Sequence, residues 1–275
     1  MMALTITSHV AFGHVGAQAM RLPLERLGIE VCHIPTVLFS NHPGHGGFRG
    51  RSLPAADLRE LVAGLGERGF LARCDALHVG YLGDAAQAEA AAEAWDRLRR
   101  LRPDALFLCD PVLGDDGRIY VRPEVVEAAR RLATAAHVLT PNRFELGLLA
   151  GEAIGSRDEA LAACRRLLRG PTRLVVCTSA EENATIATIG ATRDGAFVVE
   201  TPCLADAPKG TGDLFSAVLL ARLLKGEAPA DAVAAAASTA HAVVAASAGA
   251  DELTLVAAQA MLVDPHPLFT GRPLA

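Results

Sequence analysis

What the chain lacks narrows its chemistry. A formal charge of -5 over 275 residues, with both signs interspersed, leaves no broad basic face for nucleic acid and no polybasic patch for an anionic membrane. Six cysteines, Cys32, Cys74, Cys109, Cys164, Cys177 and Cys203, never fall at zinc or redox-pair spacing, which points to reduced thiols in a cytoplasmic protein. The first twenty residues contain no Lys, Arg, Asp or Glu. A secretory leader, however, needs a basic n-region and an unbroken apolar core, and Thr5, Thr7, Ser8 and His9 interrupt this one. A buried first strand is expected instead. A second uncharged stretch, residues 232 to 250, is alanine-rich but includes Ser238, Thr239, His241 and Ser247, so it reads as a buried helix of a soluble protein and not as a membrane span. Also missing are a Walker G-x-x-x-x-G-K-[ST], a Rossmann G-x-G-x-x-G, a G-x-S-x-G elbow and an H-E-x-x-H, so the common rival chemistries have no motif. Small molecules are the expected partners, with neither nucleic acid nor membrane.

What is present suggests an α/β domain. At 51% hydrophobic residues the chain can bury a sizeable core. Strand patterns at 3–7, 29–34, 76–80, 104–109, 136–140 and 173–177 alternate with helical patterns at 14–27, 55–70, 85–101, 123–134, 143–150 and 157–169. That alternation predicts a mostly parallel sheet with helices on both faces. A hairpin, 184–190 and 196–200 around "TRDG", adds an antiparallel portion. After residue 208 the pattern is helical almost to the end, and the tail "DPHPLFTGRPLA" is expected on the surface. No repeat or linker marks a boundary, so one domain over 1–275 is expected.

Three stretches carry chemistry. In "PKGTGDLFSAVLL" two glycines and a threonine, Gly210, Thr211 and Gly212, lead into an apolar helix, and such a turn leaves free N–H groups to face an anion. Asp213 then reads either as an ordinary first-turn carboxylate stabilising the helix or as a general base beside a transferring phosphoryl group. "CDPVLGDDG" places Asp110 and Asp115 after one predicted strand, and "TPNRFELGLLAG" places Thr140, Asn142 and Glu145 after another. Capping and turn chemistry could use these residues singly, whereas together at one sheet edge they suit phosphates and hydrated magnesium. "SNHPGHGGFRG", residues 40–50, is either a plain surface loop or a mobile flap.

"SHVAFGHVG", "TVLFSNHPGHGGFRG", "GYLG", "CDPVLGD", "TPNRFE" and "KGTGDLFSAVLLA" follow one another in the order and approximate spacing of the pyridoxal kinases, a branch of the ribokinase-like superfamily, which this chain resembles through "DELTLVAAQ" near its end. The resemblance implies a ribokinase-like three-layer α/β/α fold and ATP-dependent phosphorylation of the 5'-hydroxymethyl group of pyridoxal. It makes Asp213 the base and Gly210, Thr211 and Gly212 the anion hole. Ser8 would meet the pyridine nitrogen, with Tyr81 and the flap residues Pro43 and Gly44 beside the substrate. ATP as co-substrate would lie along Asp110, Thr140, Asn142, Glu145, Thr178 and Ser179, its adenine beside Thr201, Pro202, Cys203 and Leu204. Asp115 and Glu145 would orient Mg2+. A monovalent cation (K+ or Na+) and a homodimer are implied as well. The departures are Pro43 for the usual threonine, His45 for a tyrosine and Ala17 for an asparagine. They leave the preferred vitamer open, and His45 is expected to lack the aromatic wall that tyrosine supplies. The alternatives are a hydroxymethylpyrimidine kinase, against which "FSNH" and "GYLG" argue, and a non-catalytic vitamer-binding protein.

Overall fold

β-Branched and aliphatic runs buried on both faces build the sheet, and alanine-rich amphipathic stretches return the chain between them. The computed structural model describes residues 1–115 and 117–274. In chain order it contains β1 (Met2–Val10), α1 (Ala17–Arg26), β2 (Glu30–Phe39), β3 (Gly50–Ser52), α2 (Ala55–Glu67), β4 (Ala76–Val79), α3 (Ala85–Leu101) and β5 (Leu106–Cys109). A small hairpin of β6 (Gly114–Asp115) and β7 (Arg118–Ile119) precedes α4 (Pro123–Ala133), β8 (Val138–Leu139), α5 (Arg143–Ala150) and α6 (Arg157–Leu167). Then come β9 (Leu174–Glu182), β10 (Thr185–Thr192), β11 (Ala196–Pro202), α7 (Thr211–Leu224), α8 (Pro229–Ala246) and β12 (Arg272–Leu274).

The sheet runs in the order β12-β11-β10-β9-β8-β5-β4-β1-β2-β3. From β2 to β9 the pairing is parallel, and both edges are antiparallel. The expected mostly parallel three-layer fold is therefore present. The antiparallel part is larger than the one hairpin that the sequence predicts. β3 folds back on β2, and β12 pairs with β11, so the tail, mostly exposed as expected, also ends as an edge strand of the sheet. Proline 273 still fits there, because an edge strand need not donate every ladder bond. Beyond α8, residues 255–263 form successive turns where a further helix was expected.

Two cores flank the sheet. One packs α2 to α6 against Leu4, Ile6, Leu77 and Phe107, with the Trp95 ring tilted against Phe107 at 5.2 Å. The other packs α1, α7 and α8 against Ala3, Ile29, Leu106 and Leu108. Residues 214–221 of α7 are all buried, which is why this helix is apolar on every side; each buried Leu or Val contributes about 1.5–3 kcal/mol. The uncharged stretch at 232–250 is explained likewise by the burial of α8. Among the described residues no helix is long and apolar enough to cross a membrane.

On the α7 side, His33 of β2 and His78 of β4 stand opposite Thr5 of β1. His33 Nδ1 meets the Thr5 hydroxyl at 3.0 Å, while both ring nitrogens of fully buried His78 lack hydrogen-bond partners among the described residues. Burial, helped by His33, pushes His78 down to about 3. His78 thus stays neutral in the fold and protonates in the unfolded chain below its ordinary 6.5, so its contribution to stability is lost as the pH falls from 6.5 toward 3. Replacing it by leucine should remove that loss. We expect the stability of His78→Leu relative to the parent to rise by up to about 1.4 kcal/mol per pH unit below 6.5. Urea unfolding of both proteins between pH 5 and 7 measures this; a difference that stays flat with pH would refute the assignment.

Candidate active site

The site is assembled where parallel strands end. Gly80, Asp110 and Thr140 each extend the ladder one residue past β4, β5 and β8, donating to Ile6, Val79 and Cys109 respectively. Polar side chains after those strands therefore emerge at a single sheet edge, where ligands gather in open α/β sheets.

α7 points its N-terminus at the same edge. Gly210 caps it with φ 94°, and a Cβ there would lie 1.9 Å from the His14 carbonyl oxygen. The first glycine is thus demanded by the backbone. Gly212 is different: a Cβ on it would meet nothing within 4 Å, so its lack of a side chain serves open space. Among the described residues no side chain caps α7, and its first hydrogen bond to the cap runs from Leu214 N to Gly210 O. The amides of Thr211, Gly212 and Asp213 precede that bond and are the usual unsatisfied donors of a helix start.

Asp213 is half-buried beside this turn. Its Oδ2 accepts from Gly16 N–H at 2.9 Å. Burial pushes its carboxyl up to about 6, against the opposing pull of that bond. Gly16, which begins α1 with φ 55°, leaves no room for a side chain, because a Cβ would lie 2.1 Å from Ser8 Oγ. Ser8 and Asp213 are thereby brought to one point through Gly16. Gly16 itself was missed at the sequence level; its signal was a lone glycine directly before a helix.

A second carboxylate lies close by. Asp110 accepts from Ser216 Oγ at 2.8 Å, and Ser216 lies 3.0 Å from Thr140 Oγ1. Burial, and then the charge of Asp213, push Asp110 up to about 7. Ser216 was also missed, although a serine three residues after Asp213 in an otherwise apolar helix falls on the same face. Glu145, third in the row, is pushed up to about 8 by burial and by Asp110. Its Oε1 accepts from Leu113 N–H at 2.8 Å and its Oε2 from Asn142 N–H at 3.0 Å. Asn142 completes a capping box at α5 and donates to Gly114 O at 2.8 Å.

Other expected residues are placed apart from this row. Asp115 lies in the β6–β7 hairpin and lines an open groove of about 580 Å³ with Asn142, Arg143, Phe144 and Ser179. Thr178 N–H donates to Pro141 O at 3.0 Å, which holds the start of that wall. Thr201 to Leu204 close β11, three positions from β8 in the sheet, with Cys203 N–H bonded to Ala184 O. Tyr81 is half-buried; its N–H donates to Thr7 Oγ1 and its carbonyl accepts from Thr36 Oγ1. Pro43 and Gly44 are exposed within a 3-10 turn, where Pro43 occupies the first position and the His42 ring accepts from Gly44 N–H.

The chain matches the family model described as phosphomethylpyrimidine kinase over residues 70–254. It is 44% identical to a pyridoxal kinase PdxY of Rubrobacter xylanophilus, over 99% of this chain and 97% of that one. A pyridoxal kinase PdxY of Vibrio parahaemolyticus is 40% identical, over 97% and 95%. Among solved structures, the pyridoxal kinase of Leishmania donovani in complex with ADP and pyridoxamine superposes with a TM-score of 0.95 at 30% identity, covering 100% of this chain and 99% of that one. The chain belongs to the pyridoxal kinase family.

Pyridoxal kinase relatives raise the question of a metal, and the donor chemistry here fits one. Asp110, Glu145 and Asp213 sit together with their carboxyls pushed up, and among the described residues no Lys or Arg forms a salt bridge with any of the three. Such a row is relieved by an incoming cation. It is not a ready-made cage: among the described residues no group of three or more His, Cys, Asp or Glu could hold a metal ion. Magnesium suits that arrangement, since it keeps most of its waters and relies on phosphates and one or two carboxylates. Asp115 and Glu145, expected to orient hydrated magnesium, take different places beside this row. Both oxygens of Glu145 are occupied by backbone N–H groups, and Asp115 faces the groove.

Proposed function

We propose that this chain transfers the γ-phosphoryl group of ATP to the 5'-hydroxymethyl group of pyridoxal, giving pyridoxal 5'-phosphate and ADP. The observation that carries the reading is the Asp213 carboxylate, held by Gly16 N–H at the uncapped start of α7 and beside Ser8. Family membership supplies the substrate class.

Ser8 Oγ, at the β1 bulge, serves the pyridine nitrogen as donor or acceptor. Asp213, raised to about 6, is mostly ionised at pH 7 yet basic enough to accept a hydroxyl proton. As it does so, the substrate oxygen bonds to the γ-phosphorus and the bond from that phosphorus to the bridging oxygen of ADP breaks. The α7 amides of Thr211 and Gly212 face the oxygens on which charge spreads. Asp110, Thr140 and Ser216 line the triphosphate path, and Asn142 and Ser179 continue it into the groove, with Thr201 to Leu204 toward the adenine. Asp110, Asp115 and Glu145 would hold hydrated magnesium, which when bound would supply neutralisation of the phosphate charge. We assign the chain one kinase domain, a monovalent cation, a homodimeric state and a cytoplasmic location on the same family grounds.

Glu145→Gln places an amide NH2 against backbone N–H donors at Leu113 or Asn142. It should raise the half-saturating magnesium concentration about tenfold or more and leave pyridoxal affinity unchanged. Lost pyridoxal affinity with an unchanged magnesium titration would reassign this residue. The reading as a whole is tested by ADP release with pyridoxal, pyridoxine, pyridoxamine and hydroxymethylpyrimidine in turn. Faster turnover of hydroxymethylpyrimidine would replace it with the alternative kinase, and no turnover of any would favour a vitamer-binding protein.

A further inference from the structure

Glu252 connects the tip of the flap to the loop that steadies Asp213, and we propose that it is a positioning residue for phosphoryl transfer that latches the flap through His45. The proposal rests on the kinase reading above. Glu252 Oε1 lies 2.6 Å from His45 Nε2, and its Oε2 accepts from His14 N–H at 2.6 Å. A carboxylate offers only acceptors, so His45 Nε2–H donates. The histidine that the resemblance treats as a missing aromatic wall therefore has a partner of its own.

The flap holds its shape by itself. Asn41 Nδ2 donates to His42 O and Gly47 O, and Ser40 N–H donates to Arg49 O. Its base is pinned by buried Gln87, which donates to Thr36 O and Leu53 O. These bonds fix the shape and the base, and none of them ties the tip to the rest of the molecule. Within residues 43–47, among the described residues, the His45 ring makes the side-chain hydrogen bond that reaches outside the flap, with Phe12 edge-on to it at 6.2 Å.

Glu252 is a rigid post. Its neighbours Leu253 and Leu255 are buried in the α7 core, and Thr254 N–H donates to Ser247 Oγ at 2.9 Å. Gly13, at φ 101°, makes room for it, because a Cβ there would lie 2.6 Å from Glu252 Oε1. The other arm of the carboxylate fixes His14, whose carbonyl abuts Gly210, and two residues on Gly16 N–H holds Asp213. One side chain thus sets the flap tip and the loop carrying the anchor of the base, two parts of the site separated in sequence by 207 and 238 residues from it.

The test compares parent, His45→Ala, Glu252→Ala, Glu252→Gln and the double alanine variant. His45→Ala should raise KM for pyridoxal about tenfold, as loss of a hydrogen bond to a charged group does, with kcat within about twofold of the parent. It should also raise ATP hydrolysis in the absence of vitamer, because an open flap admits water. Glu252→Ala should show the same KM increase and lose kcat about tenfold as well, through the His14 arm. Glu252→Gln should recover that kcat, since its amide oxygen can accept from His14 N–H. The double variant should have the KM of Glu252→Ala, because the latch is broken only once. Amide exchange over residues 44–47 in the ligand-free proteins should speed up in every variant lacking the latch. Unchanged exchange and KM in His45→Ala overturn the latch even if Glu252→Ala fails to fold. A kcat for folded Glu252→Ala equal to that of the parent overturns the positioning role. Absence of turnover in the parent would defeat the kinase reading and the positioning role with it, while exchange still decides the latch.

Discussion

Asp213→Asn is expected to lower pyridoxal phosphorylation by about 10²–10⁴-fold, the usual worth of a positioned proton acceptor, while leaving ATP affinity within a few-fold of the parent. Asparagine keeps the shape of the α7 start and retains an oxygen for Gly16 N–H. It cannot take a proton. It also removes the charge that pushes up Asp110, so Asp110 should titrate lower in the variant. The two effects separate the roles of Asp213. A mere first-turn carboxylate would cost a few tenths to about 1 kcal/mol of stability and no rate. Single-turnover rates with saturating ATP and pyridoxal, together with nucleotide titration, check the prediction. Near-normal turnover would remove Asp213 from the mechanism.

The second large effect separates two glycines that look alike in sequence. Gly210→Ala forces a side chain into a positive-φ position and against the His14 carbonyl oxygen. The cost should be about 3 kcal/mol or more, or roughly 6–12 °C in melting temperature, with activity lost alongside. Gly212→Ala meets no such obstacle and gains helix propensity of about 0.8–1 kcal/mol. Its melting temperature should hold or rise, while turnover falls about 10²-fold because the backbone can no longer approach the phosphoryl group closely. Thermal unfolding and kcat measured on the same preparations read both outcomes. Full activity in Gly212→Ala would show that the second glycine is not kept for the ligand.

Much of the architecture was legible because it depends on local pattern. The runs at 3–7, 29–34 and 76–80 are three adjacent strands of the parallel block, and each strand of that block was anticipated, although β2 and β9 run about five residues further than expected. What escaped was pairing that local pattern does not encode. Arg272–Leu274 is a strand because β11 offers an edge, and Gly50–Ser52 because β2 runs on to Phe39. The site divides in the same way. Gly210, Asp213, Asn142 and Glu145 stand in recognisable turn-to-helix motifs. Gly16, Ser216 and Glu252 act across separations of 197, 106 and 238 residues, and nothing near them in sequence announces the partner. The flap is the sharpest case. Composition left residues 40–50 as either a surface loop or a flap, and the contact of its tip with Glu252 comes from a carboxylate 207 residues away.

Whether Asp213 and the α7 start move a phosphoryl group onto pyridoxal is read directly by 31P NMR of the purified protein with ATP, magnesium and pyridoxal. One pyridoxal 5'-phosphate should form per ADP, with the phosphorus on the 5'-oxygen, and the rate should collapse in Asp213→Asn. ADP accumulating with free phosphate, or product forming equally fast in the Asp213 variant, would contradict this reading.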